Sequence, residues 1–315
     1  MATDTCTDGS TLLPSQPYLA LHPHFGMLLG VADFEAEQAY HRGKMRLHNA
    51  WAHGWGVLWG LGVSVDVGKG EVAVAPGLAL DGRGRELHND LPQCVNVGRW
   101  FAEHRNDAGF EFTDNGSSGV GFDAHVRVRH QACLTSPVPA LADSCGGGGG
   151  GGGASTAYSR VFETVVIELV PGLAPAPAHR HHLLRVLAGL DDAATDGDGN
   201  VLPADQEALD ARVAIAAAAP ADRVAMAAQA LHHIAVLDTM ADTTAEDEED
   251  SEASLFPAAG PTSVVLADLP AVQLSLNADG SYALAAATVN PDVRAVLLPT
   301  ATLQGLAGAL LAALF

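Results

Sequence analysis

The sequence predicts an α+β fold: an N-terminal helix leading into an antiparallel β domain, with an inserted helical segment and a short C-terminal helix. Three observations carry this. Phe34, Gln38, His41, Met45 and His48 recur at helical spacing along one stripe. After Gly54 the period drops to two, as Leu61, Val63, Val65 and Val67 alternate with Gly62, Ser64 and Asp66. From about residue 178 to 240 helical signals return, set between segments that read as strands.

The first helix is expected from Asp33 to about Trp51, with Asp33 as its cap and Glu35 and Glu37 at its positive end. Gly43 inside it costs about 1 kcal/mol relative to alanine, which points to something passing close to that face. "GKGE" (Gly68 to Glu71) then makes a turn, and Val72 and Val74 begin a returning strand. "LALDGRGREL" (Leu78 to Leu87) holds a second turn, in which Gly82 and Gly84 are expected to supply the positive-φ positions. Ala124 to Leu134 and Arg160 to Val170 alternate as strands, with Arg127 and Arg129 opposite Val126 and Val128. Between them, the prolines of "SPVPAL" and the glycines Gly146 to Gly153 predict an exposed loop. Pro203 and Pro220 sit where first-turn prolines belong. Glu246 to Glu252 ("EDEEDSE") reads as a solvated linker, and "TSVVLADL" and "SYALAAATV" as strands across the turn "NADG". The organisation expected is an arm and helix over 1–56 and a β domain over 57–175 with its glycine-rich loop at 144–155. A helical insertion follows over 176–245, an acidic linker over 246–261, and closing strands with a C-terminal helix over 262–315.

Charge narrows the function classes. Sixteen basic residues oppose 37 acidic ones, a formal −21, and only Lys44 and Lys69 are lysines. Such a field repels phosphate backbones and anionic lipid, which argues against nucleic-acid and membrane-surface partners. Cys6, Cys94, Cys133 and Cys145 show no CxxC spacing, against a zinc ribbon or a thioredoxin-like site. Cys133 and Cys145 bracket a loop and can pair in an oxidising compartment; free thiols are the cytoplasmic default. "MATDTCTDGSTLLPSQ" has no basic region and no apolar run, so no signal peptide is expected, and synthesis and assembly are placed in the cytoplasm. Ala295 to Phe315 is uncharged, but Pro299 divides it. The apolar helix left is short for a bilayer, which needs about 20 residues, so no membrane insertion is expected. A buried or subunit-packing helix is the reading.

The best metal candidate is "DAATDGDGNVLPADQEALD", because calcium loops place oxygen donors at alternate positions around a glycine. Asp196, Asp198 and Asn200 as positions one, three and five put Glu207 at twelve, but Val201 then holds the glycine place. Sliding by two makes Gly199 the glycine, but Ala194 replaces the first ligand and Asp205 the last. Neither register is complete, and a helix–turn–helix hairpin rich in turn formers is the plainer account. "HRHH" (His179 to His182) and His232–His233 lack the i, i+4 spacing with an acidic partner that zinc sites use. They read as surface or polar-core histidines. No GxSxG, P-loop or strand-to-helix GxGxxG is present. The expectation is a non-enzyme without a cofactor, calcium being the one candidate.

"HNAWAHGWGVLWGL" (His48 to Leu61) holds three of the four tryptophans. Trp51, Trp55 and Trp59 share a face if the segment is helical; if a strand starts at Gly56 they spread around a corner as packing anchors. Gly54, Gly56 and Gly60 let the backbone turn and approach neighbours, and His48 and His53 are expected to satisfy backbone groups of the turn. A structural corner is the reading.

Asp33, Glu37, Gln38, Tyr40, His48, Asn49, His53, Gly54, Trp55, Gly56, Val57, Gly60 and Leu61 form a pattern of helix, "HN", "HGWGV" and "GL". Pro76, Gly77, Ala79, Asp81, Gly82, Arg83, Arg85 and Glu86 continue it as "PG-A-D--GRE". This resembles a family of proteins encoded beside the baseplate genes of phage-tail-like contractile injection systems. The likeness is strongest from residue 25 to 90 and weaker over the later strands and the closing segment. Here the family's aromatic-rich start is "HPHFGMLLG", the helix is poorer in arginine, and the helical stretch with its acidic linker has no counterpart. The resemblance implies a structural part of such a particle, at the baseplate or in a fibre-like appendage, touching baseplate, tube or spike proteins. Residues 17–56 would dock, the β unit would carry the fold, and the whole would be a homo-oligomer, a trimer being the expected state, released with the particle. The alternative is a calcium-dependent ligand- or carbohydrate-binding module.

Overall fold

The computed structural model describes residues 6–10, 12–13, 15–116, 119–140, 155–176, 179–241, 256–257 and 260–305. It is an α+β structure in which an N-terminal helix precedes antiparallel sheets. Two compact units form: Met1–Pro177 with Gly260–Phe315, and Ala178–Ala259.

In the first unit, β1 (Cys6–Thr7) is followed by α1 (Val31–His48) and a π-helical turn, Asn49–His53. Three short strands come next: β2 (Gly56–Gly60), β3 (Val63–Asp66) and β4 (Glu71–Val74). Then come β5 (Gly77–Leu80), β6 (Glu86–Asn89), β7 (Gln93–Asn96), α2 (Val97–His104) and β8 (Thr113–Asp114). The long strands β9 (Val120–Ala140) and β10 (Ser155–Pro171) close the first segment, and β11 (Ser263–Leu276) and β12 (Tyr282–Ala286) return after the second unit. β2–β5–β6 and β3–β4–β7 are separate three-stranded sheets. The third sheet is organised by β9, which carries β8 and β10 along one edge and β11 and β1 along the other, with β12 beyond β11. Every one of these strand pairs is antiparallel.

Alternation explains the core. Val126 and Val128 of β9 are buried, whereas Arg127 and Arg129 face the other way and both donate to Glu168 of β10. Val72 and Val74 from β4, with Leu266, Leu269, Val272 and Leu274 from β11, face the same interior. Around it lies a ring cluster, in which Phe101 of α2 meets Phe110, Phe112, Phe122 and Tyr282. The helix approaches β12 closely because Gly98 has no side chain: a Cβ there would run into the Tyr282 carbonyl.

Several expectations are corrected. Asp33 is not the cap of α1; Gly30 is, and Asp33, three residues on, accepts the Gly30 N–H through Oδ2 at 2.8 Å. The carboxylate still serves the positive end of the helix, from inside rather than from the boundary. Gly82 does not take positive φ; Gly84 does, at +67°. Gly82 is small for another reason, since a Cβ there would overlap Gly260, while its N–H donates to Pro261 O at 2.7 Å. Pro137 and Pro139 lie in β9, opposite Tyr158 and Thr156, not in a loop. They are tolerated because β9 has no second partner there among the described residues, so no ladder donor is lost on that edge. The glycine-rich run, the acidic run and residues 306–315 of the C-terminal segment lie outside the described residues. Residues 300–305 are helical.

The cysteines are corrected as well. Cys133 is joined to Cys6, 127 residues away in sequence, and not to Cys145, which lies outside the described residues. Cys6 sits directly opposite Cys133 in the β1–β9 ladder, a proximity made by strand pairing that no sequence spacing announces. Cys94 is a free, exposed thiol on β7.

The second unit contains α3 (His182–Ala188), α4 (Pro203–Ala217) and α5 (Pro220–Ala241). Pro203 and Pro220 open their helices. Its core is small: Leu183, Val186, Ala208 and Ile234. None of the described helices is long and apolar enough to cross a membrane.

Candidate docking surface

The motif residues meet where α1, the β5–β6 hairpin and strands β9 and β10 come together. At the end of α1 the chain continues as the π-helical turn, and Gly54, at φ +76°, ends it by donating its N–H to Asn49 O at 3.1 Å. Gly56 lets β2 pass the backbone of Ala295, where a Cβ would lie 2.8 Å from the carbonyl oxygen; Gly60 does the same against Pro76. Arg294 fastens this bend from behind. Its Nη2 donates to Leu61 O at 2.8 Å, Nη1 to Gly60 O at 3.2 Å, and Nε to Leu266 O of β11 at 3.1 Å.

Asp81 and Arg85 close the hairpin loop. Asp81 is fully buried and Arg85 is 6% exposed. Asp81 Oδ1 accepts the backbone N–H groups of Arg83 and Arg85, and Oδ2 accepts Arg85 Nε at 2.6 Å. The loop is pressed against α1: Gly84 fits beneath the Arg46 backbone, and Asn49 Nδ2 donates to Gly84 O at 3.2 Å. Arg85 Nη1 donates further, to Asp8 O, which also lies 2.8 Å from His130 Nδ1. The other ring nitrogen of His130 is 3.0 Å from Glu163 Oε2. The hydrogen bond from His130 holds the Glu163 carboxyl below its ordinary value, against the opposing effect of burial; the charges of His130, Arg46 and Arg42 act in the same direction. A groove of ≈ 400 Å³ opens beside these groups, lined by Glu37, Gln38, Arg46, Asn49, Glu86 and Glu163.

Glu163 gives a pH dependence with a defined sign. A carboxyl depressed in the folded state contributes fully above its unfolded value, near 4.5, and the contribution is lost as pH falls through the lowered folded value. Glu163→Gln is therefore expected to be less stable than the native chain at neutral pH and to show a smaller loss below that range. Urea unfolding at several acidic pH values checks it; parallel curves would remove Glu163 from the acid limb.

The other motif residues are placed as follows. Glu37 pairs with His41 at 3.0 Å on the exposed face of α1. Tyr40 and Tyr18 flank Lys44, whose Nζ stands 5.6 and 5.4 Å from their rings. His48 and His53 do not satisfy the turn as expected; the backbone does that, and the two rings meet edge to face with centroids 5.3 Å apart. Of the tryptophans expected to anchor the corner, Trp51 and Trp55 are half-buried and Trp59 is 55% exposed. Gly43 is where the N-terminal segment crosses α1: a Cβ there would meet Pro17 N at 2.7 Å, and Gln16 N–H donates to Ala39 O at 2.9 Å.

Between that crossing and α1 the chain exposes an apolar series. Tyr18, Leu19, Phe25, Leu28 and Leu29 are exposed, and Val31 and Phe34 extend the series onto the first turn of the helix. A turn closed by Met27 N–H to His24 O, with Gly26 at φ +83°, presents Phe25 at its tip with its side chain wholly in solvent. Scattered apolar side chains are normal on a surface; seven large ones in 17 consecutive residues are not.

The calcium candidate lies in the second unit, and its donors are separately engaged. Asp196 Oδ1 accepts the N–H groups of Asp198 and Asn200 within a tight hairpin that Thr195 and Val201 close. Asp205 is buried and accepts Ala194 N–H at 2.8 Å, with His182 Nε2 at 2.6 Å from the same oxygen. Glu207 meets His233 at 2.7 Å. Among the described residues no three His, Cys, Asp or Glu side chains converge on a common metal position. His182 thus meets an acidic partner 23 residues away, outside the i, i+4 spacing. Asp238 accepts the N–H groups of Leu183 and Leu184 and lies 3.7 Å from His181. His130, Glu163 and Arg294 escape a motif search because each acts across 28 or more residues of sequence.

No protein-family model matches the chain, and no curated protein sequence matches it.

Proposed function

We propose that this chain is a structural component of a phage-tail-like contractile injection particle, seated at the baseplate or in a fibre-like appendage through protein–protein contacts. The resemblance of residues 25–90 supplies the setting. The observation that carries the reading is the exposed apolar series from Tyr18 to Phe34, held on a braced corner. At about 200 Å² for an aromatic side chain, Tyr18, Phe25 and Phe34 with the four aliphatic side chains around them offer a large share of the roughly 800 Å² that one partner contributes to a standard interface. The arm and helix, residues 17–56, are the docking element, with baseplate, tube or spike proteins as neighbours. A homo-oligomer of closed symmetry, taken here as a trimer, is the form assigned to such an appendage.

The test is affinity capture of the tagged chain from its host, with mass spectrometry and negative-stain imaging. Sheath, tube and baseplate proteins are expected to co-elute. A Phe25→Ser/Leu28→Ser variant, both sites being solvent-exposed, should keep its circular dichroism and lose those partners at least tenfold. A native chain that elutes alone, or a variant that retains every partner, overturns the reading.

A further inference from the structure

We propose that the Cys6–Cys133 disulfide is a redox latch on the N-terminal segment: oxidation locks residues 6–17 onto β9 and α1, and reduction releases them. The latch does not depend on what the arm docks against.

Among the described residues, a short series of contacts accompanies the disulfide. β1 is two residues long and pairs with β9 only at Cys6–Cys133 and Thr7–Ala132. Beyond it, the Asp8 carbonyl accepts from His130 and Arg85, and Gly9 packs so closely on the His130 ring that a Cβ would stand 2.7 Å from Cε1. Leu13 is buried with its N–H on Gly9 O, and the path ends at the Gln16–Ala39 bond and the Pro17–Gly43 crossing. Each ordered residue loses backbone freedom, which the two ladder pairs and these further bonds must offset. The covalent bond changes the balance, since it closes a loop of 127 residues that the reduced chain leaves open. Both cysteines are half-buried, so a small thiol or disulfide has access to them.

The chemistry is thiol–disulfide exchange. One cysteine thiolate attacks a small-molecule disulfide of the oxidised-glutathione class and releases one thiol, leaving a mixed disulfide. The second cysteine thiolate attacks that bond and releases the other thiol. The cysteine pair gives up two electrons, the small disulfide becomes two thiols, and the two cysteine protons end on those thiols. A glutathione-reducing cytosol runs the sequence backwards and opens the latch; an oxidising compartment closes it. Once open, β9 loses β1 at residues 132–133 while keeping β10 on its other edge, and His130 Nδ1 and Arg85 Nη1 lose their shared acceptor.

The experiment uses the full chain, equilibrated with an excess of either oxidised or reduced glutathione. Non-reducing peptide mapping should recover Cys6 linked to Cys133 only in the oxidised sample, with Cys94 outside that linkage in both and carrying at most a glutathione in the oxidised one. Amide hydrogen exchange over residues 6–17 should be roughly tenfold or more faster in the reduced sample, while β11 is unchanged. Cys6→Ser should exchange at the reduced rate in both buffers, and Cys145→Ser should keep both the linkage and the difference. A Cys133–Cys145 linkage, or equal exchange of residues 6–17 in the two buffers, overturns the latch.

Discussion

Arg85→Met is expected to destabilise the first unit by about 3–5 kcal/mol, the range for removing one partner of a buried ion pair. Asp81 is fully buried and accepts through both oxygens, so losing the Arg85 guanidinium leaves a carboxylate with two backbone donors and no counter-charge. Two further losses compound it. Asp8 O forfeits the Nη1 donor, and the loop that presses Gly84 beneath Arg46 loses its closing bond. Asp81→Asn/Arg85→Met should recover more than half of the cost, because the asparagine oxygen still takes the loop N–H groups and no charge remains buried. Tryptophan fluorescence in urea reads this cleanly: Trp51, Trp55, Trp59 and Trp100 all lie in the first unit, so the helical unit contributes no signal. A cost for Arg85→Met below about 1 kcal/mol would mean that the pair behaves as an exposed one.

The same corner shows what the sequence does and does not disclose. The change of period after Gly54 was visible because strand alternation is a local property, as was the close approach at Gly43, since glycine in a helix needs a reason. Asp33 and Gly82 mislead for a shared cause: a residue type that fits two local roles does not say which it fills. Aspartate serves a helix N-terminus as cap or from inside the first turn, and glycine serves a turn by positive φ or by absence of a Cβ. Pro137 and Pro139 read as loop because the edge position that tolerates them depends on where other strands end. The Cys6–Cys133 bond, the His130–Glu163 contact and the Arg294 brace are products of pairing between distant strands, and no local pattern encodes them. In the second unit the turn residues announced a hairpin, but not that Asp205 would face His182.

The helix α2 and the rings around it were the largest omission, and they set the second large effect. Phe101→Ala is expected to cost about 3–5 kcal/mol, as for other buried aromatic truncations. Phe101 has no exposed surface and is the hub of the cluster: Phe122 stacks on it at 5.4 Å, and Phe110, Phe112 and Tyr282 meet it edge-on at 5.8, 5.2 and 4.8 Å. Those four rings come from the segment between α2 and β8, from β9 and from β12, so the cavity left by truncation would border that segment and two strands of the large sheet. It cannot collapse easily, because Gly98 already holds the α2 backbone against Tyr282 and a rigid sheet lies on the far side. Phe101→Leu fills much of the same volume and should cost less than the alanine variant, what it loses being chiefly the ring–ring term of about 0.5–1.5 kcal/mol per pair. Urea unfolding by tryptophan fluorescence separates the two variants, Trp100 being 5.5 Å from Phe110 within the same cluster. Equal costs for alanine and leucine would mean that ring geometry, not filled volume, holds α2 to the sheet. A small cost for alanine would mean that α2 is held by its backbone contact at Gly98, and the aromatic cluster would cease to explain why residues 97–104 fold back onto β12.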